Sequence, residues 1–260
     1  MNKPSILLNF GCSITLAAVA CLIATVMCRP AAAQTATPPF TISGIVTDAN
    51  GQGIADVTMV MVSDVTGTQI SFTDQGGNYV FNYAGGVSHS LKLIPSKSGY
   101  MFNPLWTAFV SSVGMSGNQT TSFVGTLSST APSGQIPILL TQETSLRALA
   151  LDSVTYTTEP FAVTGLYNFS TDHRTRVSLL AANVELVEGE TSSVIAAEAE
   201  DSLGHVFPLS IEHFGAVQNY LWLKQVIVKL PDEIANSGEV RVSLKVRGTA
   251  GNKVLMNVQP

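Results

Sequence analysis

Apolar and polar residues alternate along this chain in short runs separated by turn residues. From Phe40 to Thr126 no stretch shows the 3.6-residue repeat of a helix three turns long. Residues 41–46 (Thr-Ile-Ser-Gly-Ile-Val) form the first run, and Asp48-Ala49-Asn50-Gly51 closes it with an Asn-Gly pair that supplies the positive φ angles of a tight turn. Runs at 57–62 and 70–73 follow, then the turn Asp74-Gln75-Gly76-Gly77-Asn78. In Tyr79-Val80-Phe81 the rings lie two apart, so they share one strand face, expected to be core. A strand at 90–95, a turn at 96–99, the aromatic run 100–104, a loop at 114–119 and a last strand at 120–125 complete the set. Short strands at this spacing are the pattern of a sandwich.

Residues 127–135 are rich in Ser, Thr, Pro and Gly without apolar periodicity and read as a linker. A second β module is expected beyond it, with strands at 148–156, 176–184, 194–200, 206–212, 223–230 and 240–246. Clean alternation over 240–246 places Arg241, Ser243 and Lys245 toward water. The expected fold class is all-β, with two β-sandwich domains at 40–126 and 136–260.

Three segments carry a resemblance. Gly44-x-Val46-x-Asp48-x-x-Gly51-x-Gly53-Ile54-x-x-Val57, then Asp74-x-x-Gly77-x-Tyr79-x-Phe81, then Pro95-Ser96-Lys97-Ser98-Gly99-Tyr100-x-Phe102-x-Pro104 resemble the carboxypeptidase regulatory-like and collagen-binding-B-like modules of bacterial surface proteins. The resemblance covers about a third of the chain and implies a transthyretin-like (prealbumin-like) sandwich of seven strands. His89 departs from it, standing where the family usually has Tyr. Some of these modules carry a Lys-Asn isopeptide crosslink. Residues 41–46 hold no lysine for one, so none is expected. The tail, Lys229-Leu230-Pro231-Asp232-Glu233 with Gly238-x-Val240-x-Val242-x-Leu244 and Arg247-Gly248-x-x-x-Asn252-Lys253-Val254, resembles immunoglobulin-like modules at the C-termini of secreted bacterial proteins, which implies fold more than function.

Composition narrows the partners. Charged residues make up 12% and the net charge is −5, with no Lys/Arg cluster able to neutralise several phosphates. A nucleic-acid partner is therefore not expected. Lys3, the apolar run 6–27 and Ala31-Ala32-Ala33 predict a signal peptide over 1–33, cleaved between Ala33 and Gln34, with 34–39 as a short linker. Cys12, Cys21 and Cys28 all lie in that segment, so the mature chain has no thiol chemistry. Two alternatives stay open: an uncleaved membrane anchor, because the run is long enough to span, and lipidation at Cys21 after Ala18-Val19-Ala20. Cleavage implies a secreted or cell-surface protein with no membrane span in its mature form.

Catalytic patterns are sparse. His89, His173, His205 and His213 lack metal-ligand spacing, and Gly114-Met115-Ser116-Gly117 lacks the spacing of a nucleophile elbow. The acidic concentration Glu185, Glu188, Glu190, Glu198, Glu200 and Asp201 reads as a solvated face rather than a glycosidase pair. Asp48-x-Asn50-Gly51 is explained as a tight turn and lacks the further acidic ligands of an EF-hand calcium loop. No metal and no cofactor are expected. Aromatic residues remain. Core packing is the ordinary role for Tyr100, Phe102 and Trp222, and Trp106 fits that role least. The expected function is a non-enzymatic secreted or cell-surface module for adhesion, structure or binding, with a cell-surface protein or polysaccharide as partner. Its alternative is a carbohydrate-binding accessory protein using Tyr100 and Trp106 as a stacking platform. A hydrolase centred on His205, Glu212 and His213 is the third possibility.

Overall fold

The first alternating run becomes β1 (Phe40–Thr47), whose Ile42 and Val46 are fully buried. The computed structural model describes residues 40–83, 90–110, 117–128, 135–168 and 170–260, all within one compact unit. The expected signal peptide with Ala33 and Gln34, the lipidation candidate Cys21, most of the expected linker, and His89 lie outside the described residues.

Eight more strands build the first module: β2 (Thr58–Ser63), β3 (Gly67–Phe72), β4 (Asn78–Tyr83), β5 (Ser90–Ser96), β6 (Tyr100–Asn103), β7 (Thr107–Val110), β8 (Gln119–Thr120) and β9 (Phe123–Leu127). One sheet runs β4-β1-β9-β6 with β8 also on β1, and the other runs β3-β2-β5-β7. Alternation decides which side chains meet between them. Tyr79, Phe81 and Tyr83 of β4 turn inward onto Ile42, Met59, Met61, Leu93 and Phe123. Burying each such side chain contributes about 2–3 kcal/mol. The Tyr79 hydroxyl, pushed up in pKa by burial, donates to Thr121 O at 2.6 Å.

The second module comprises β10 (Ile138–Leu139), β11 (Ala150–Asp152), β12 (Phe161–Ala162), β13 (Arg176–Ala182), β14 (Ile195–Glu200), β15 (Val206–Val217), β16 (Tyr220–Lys229), β17 (Glu239–Val246) and β18 (Thr249–Gln259). Its two layers are joined by β15, which pairs with β14 up to Leu209 and with β16 from Ser210 onward, with a register shift between Ile211 and His213. A strand that changes layers at a bulge is how a sandwich turns a corner. The first and last strands also meet. Asn252 of β18 accepts from Leu139 N and donates to Leu139 O, at 2.8 and 2.9 Å. Val177, Leu179, Val226, Val228, Val242 and Val254 lie in the enclosed core. The all-β fold is thus as expected, and no α-helix occurs among the described residues.

Three local expectations are corrected. The strand expected over 148–156 is only β11, because the Asp152 carboxylate accepts from Val154 N and Thr155 N, both at 2.8 Å, and turns the chain. Ser243 is 3% exposed rather than solvated. It stands between Glu198 of β14 and Lys253 of β18, whose long side chains flank it. Trp222 does not anchor the second core. It is half-buried with its ring edge-on to Phe72 of the first module, 5.5 Å between centroids.

That ring pair marks one end of a direct contact between the modules. At the other end Thr68 N donates to Thr141 Oγ1 (2.8 Å) and Thr141 N donates to Thr68 Oγ1 (2.9 Å). Gly67 beside it has φ +76° and touches the turn after β10 so closely that a Cβ would stand 1.9 Å from Ser145 O.

Candidate functional site

The modules enclose a cleft of about 240 Å³, and both rings singled out in the sequence line it. The first wall begins at the turn 96–99, where Gly99 takes φ +76° and Tyr100 N donates to Lys97 O at 3.1 Å. This hairpin sends Tyr100 out beside Phe102, the rings stacked 6.1 Å apart at 20°. Lys97 Nζ donates to Ala55 O at 2.6 Å and lies 5.9 Å above the Tyr100 ring. Trp106, 40% exposed, has the Lys92 ammonium 4.6 Å from its ring centre. Lys92 itself lines a second inter-module cavity, of about 310 Å³, with Asp64, Ile138 and Lys253.

The second wall is polar at its base. Gln135 and Asn183 are buried amides, with Asn183 Nδ2 donating to Ile136 O at 2.9 Å. Gln135 Oε1 accepts from Glu185 N and from Arg247 Nη1, each at 3.4 Å. Arg247 also donates to Glu185 O at 2.9 Å and pairs with Glu190, whose carboxyl it draws down to about 2. Glu185 goes the other way: burial raises its pKa, and Lys224 at 3.6 Å opposes the rise. Leu186, Val187 and Glu188 complete this side. Gln135, Ile136, Asn183, Leu186 and Val187 were not singled out in the sequence, and Glu185, Glu188 and Glu190 were weighed only as a carboxylate pair and read as a solvated face, because only tertiary packing brings 135–136 and 183–188 against 95–106. A hint lay in the sequence at Gln135-Ile136, where an apolar residue ends the polar stretch.

The remaining candidates are not brought together. Glu198 pairs with Lys245 at 2.6 Å, Glu200 with Lys253, and Asp201 with His205 at 2.8 Å. Glu212 is engaged by Arg176 (2.9 Å) and Lys229 (3.6 Å), while His213 on the same strand is exposed. His173 Nδ1 lies 2.9 Å from Asn168 O. No group of three His, Cys, Asp or Glu side chains is placed to hold a metal among the described residues.

Asp48 belongs to a loop that this chain uses three times. Asp48, Asp74 and Asp201 each accept with Oδ1 from the N–H groups two and four residues on, at 2.8–2.9 Å. The residue three positions on is Gly51, Gly77 or Gly204, with φ of +81°, +80° and +85°. The N–H groups of Gln52 and Asn78 hold Asp48 and Asp74 below the usual carboxylate range. Burial pushes Asp201 up, but hydrogen bonds from His205 and Leu203 outweigh it. Arg176 does the same for Asp172 and Glu212, and Lys253 for Glu200. Carboxyls depressed in the folded state stabilise it above their unfolded pKa values of 3.8 to 4.5 and lose that contribution as pH falls through the folded values. The midpoint of urea unfolding is therefore expected to be flat from pH 7 to about 5 and to fall steadily from about pH 4 to 2. A midpoint unchanged at pH 2 would remove these loops and ion pairs from the account of stability.

No family model matches this chain, and no curated protein matches it. Among solved structures it is similar to 3-chlorocatechol 1,2-dioxygenase from Rhodococcus opacus, at 14% identity over 38% of this chain and 63% of that one, with TM-score 0.28. It is also similar to BcpA, the major pilin subunit of Bacillus cereus, at 8% identity over 84% of this chain and 69% of that one, with TM-score 0.28. A streptococcal ancillary pilin gives 13% identity over 87% and 60%, with TM-score 0.27. The chain thus spans under two thirds of the length of the dioxygenase and of the ancillary pilin. At these identities and scores the likenesses carry nothing about activity or ligand.

Proposed function

We propose that this chain is a non-enzymatic structural and adhesive module of a secreted or cell-surface protein, in which two β-sandwiches are locked into one body. The observation that supports it is the reciprocal Thr68–Thr141 hydrogen bonding with Gly67 pressed against Ser145. A tethered pair of independent domains needs no such contact. Each net hydrogen bond stabilises by about 1 kcal/mol, and the Phe72–Trp222 ring pair adds about as much again. The placement of the carboxylates weighed for catalysis supports the non-enzymatic reading: Glu190, Glu198, Glu200, Asp201 and Glu212 are each paired with an arginine, lysine or histidine. The first module's resemblance to carboxypeptidase regulatory-like and collagen-binding-B-like modules agrees with a surface role.

Thermal unfolding tests the structural half. Far-UV circular dichroism and, in Trp106→Phe, the fluorescence of Trp222 should report one shared transition, and two well-separated transitions would overturn the locked body. The non-enzymatic half would fall to a hydrolytic activity, on a panel of esters, peptides and glycosides, that Glu212→Gln or His213→Ala abolishes.

A further inference from the structure

The inter-module cleft has two unlike walls. On one side stand the rings of Trp106 and Tyr100. Lys92, whose ammonium lies 4.6 Å from the Trp106 ring centre, lines the second cavity and not this cleft, and Trp106 remains 40% exposed. Tyr100 is held by stacking on Phe102, with the Lys97 ammonium 5.9 Å from its ring centre. On the other side lie Gln135, Glu185 and Glu188. A sugar ring has the matching pair of surfaces: a C–H face that lies on an aromatic ring and an edge of hydroxyls that donate to amide and carboxylate oxygens.

Charge and size narrow the ligand. Glu185 and Glu188 outnumber the one ammonium among the lining residues, Lys97, which donates to Ala55 O at 2.6 Å, while Lys224 beside the cleft is paired with Glu185 at 3.6 Å. An anionic saccharide would compete with Glu185 and Glu188 for ammonium groups that are already engaged. A volume of about 240 Å³ lies below the range that encloses a drug-sized ligand, so it takes one or two sugar rings at the end of a chain.

We propose that this cleft binds the end of a neutral oligosaccharide, with Trp106 and Tyr100 as the stacking surface and Gln135, Glu185 and Glu188 as partners of its hydroxyls. The site goes beyond the structural role above and stands or falls separately from it. Neither module holds it alone, since the rings come from one and the polar groups from the other.

Calorimetric titration of the protein with neutral cello-, chito-, malto- and manno-oligosaccharides tests it, with oligogalacturonate as the anionic comparison. At least one neutral series should bind saturably, and oligogalacturonate about tenfold or more weakly. Trp106→Ala and Glu185→Gln should each weaken binding about tenfold or more. The chain has two tryptophans, so in Trp222→Phe the emission of Trp106 alone should shift on binding. Because Trp106 is half-exposed, circular dichroism should show Trp106→Ala folded. The proposal is overturned if no neutral series binds at millimolar concentration, if oligogalacturonate binds equally well, or if folded Trp106→Ala binds as the parent does.

Discussion

Gly67→Ala is expected to release the two sandwiches from each other while leaving each one folded. The substitution acts twice. At φ +76° an L side chain costs about 1–2 kcal/mol that glycine does not. The new Cβ would also stand 1.9 Å from Ser145 O and 2.2 Å from Thr141 Oγ1, closer than any real contact, and forcing such an overlap costs about 1–3 kcal/mol. The backbone on either side has nowhere to retreat. Gly67 pairs with the buried Ser63, whose hydroxyl accepts from Val65 N and Thr66 N to hold the hairpin. The strain therefore falls on the contact itself, and the Thr68–Thr141 hydrogen bonds should be lost with it. The shared unfolding transition should split in two. Thr141→Ala, which deletes the hydroxyl without adding bulk at Gly67, should give a smaller change in the same direction.

A large effect is also expected from Phe123→Ala. Phe123 is 1% exposed on β9, beside Tyr79 at 6.4 Å between ring centroids. Removing a ring from such a site costs about 3–5 kcal/mol, a large share of the roughly 5–15 kcal/mol that holds a typical domain. In independent modules the loss would stop at the first. In a locked body part of it reaches the second, because unfolding the first module strips Phe72 from Trp222 and Thr68 from Thr141. Native-state hydrogen exchange reads this directly. Amides of Val226 and Val228, deep in the second core, should exchange faster in Phe123→Ala. Unchanged protection there would mean that the modules do not share stability.

Legibility in the sequence followed the range of the interaction. β1, β2, β4 and β5 stand where alternation and turn residues put them, and Tyr79 and Phe81 are core because period two is a local property. The last strand, β18, was not expected. Gly248, Gly251, Asn252 and Lys253 hide its start, although Val254, Met256 and Val258 alternate and are buried. β15 runs on to Val217, past the expected end at 212, because its second half pairs with β16 rather than β14, and a layer change has no local signature. The site divides the same way. Tyr100 and Trp106 were conspicuous as aromatics after a turn. Gln135 and Asn183 were not, and Glu185 and Glu188 read as a solvated face, since polar residues look solvated until the opposing module covers them. Gly67 reads as an ordinary hairpin glycine, and the Ser145 carbonyl against it belongs to a segment over seventy residues away.

The locked body is tested most directly by a distance between modules. The chain beginning at Gln34 contains no cysteine, so Val80→Cys and Leu203→Cys, both at exposed positions, give one spin label in each sandwich. Electron-electron double resonance should return a single narrow distance distribution for the parent and a broad one when Gly67→Ala is added. A distribution already broad in the parent, and unchanged by Gly67→Ala, would contradict the account.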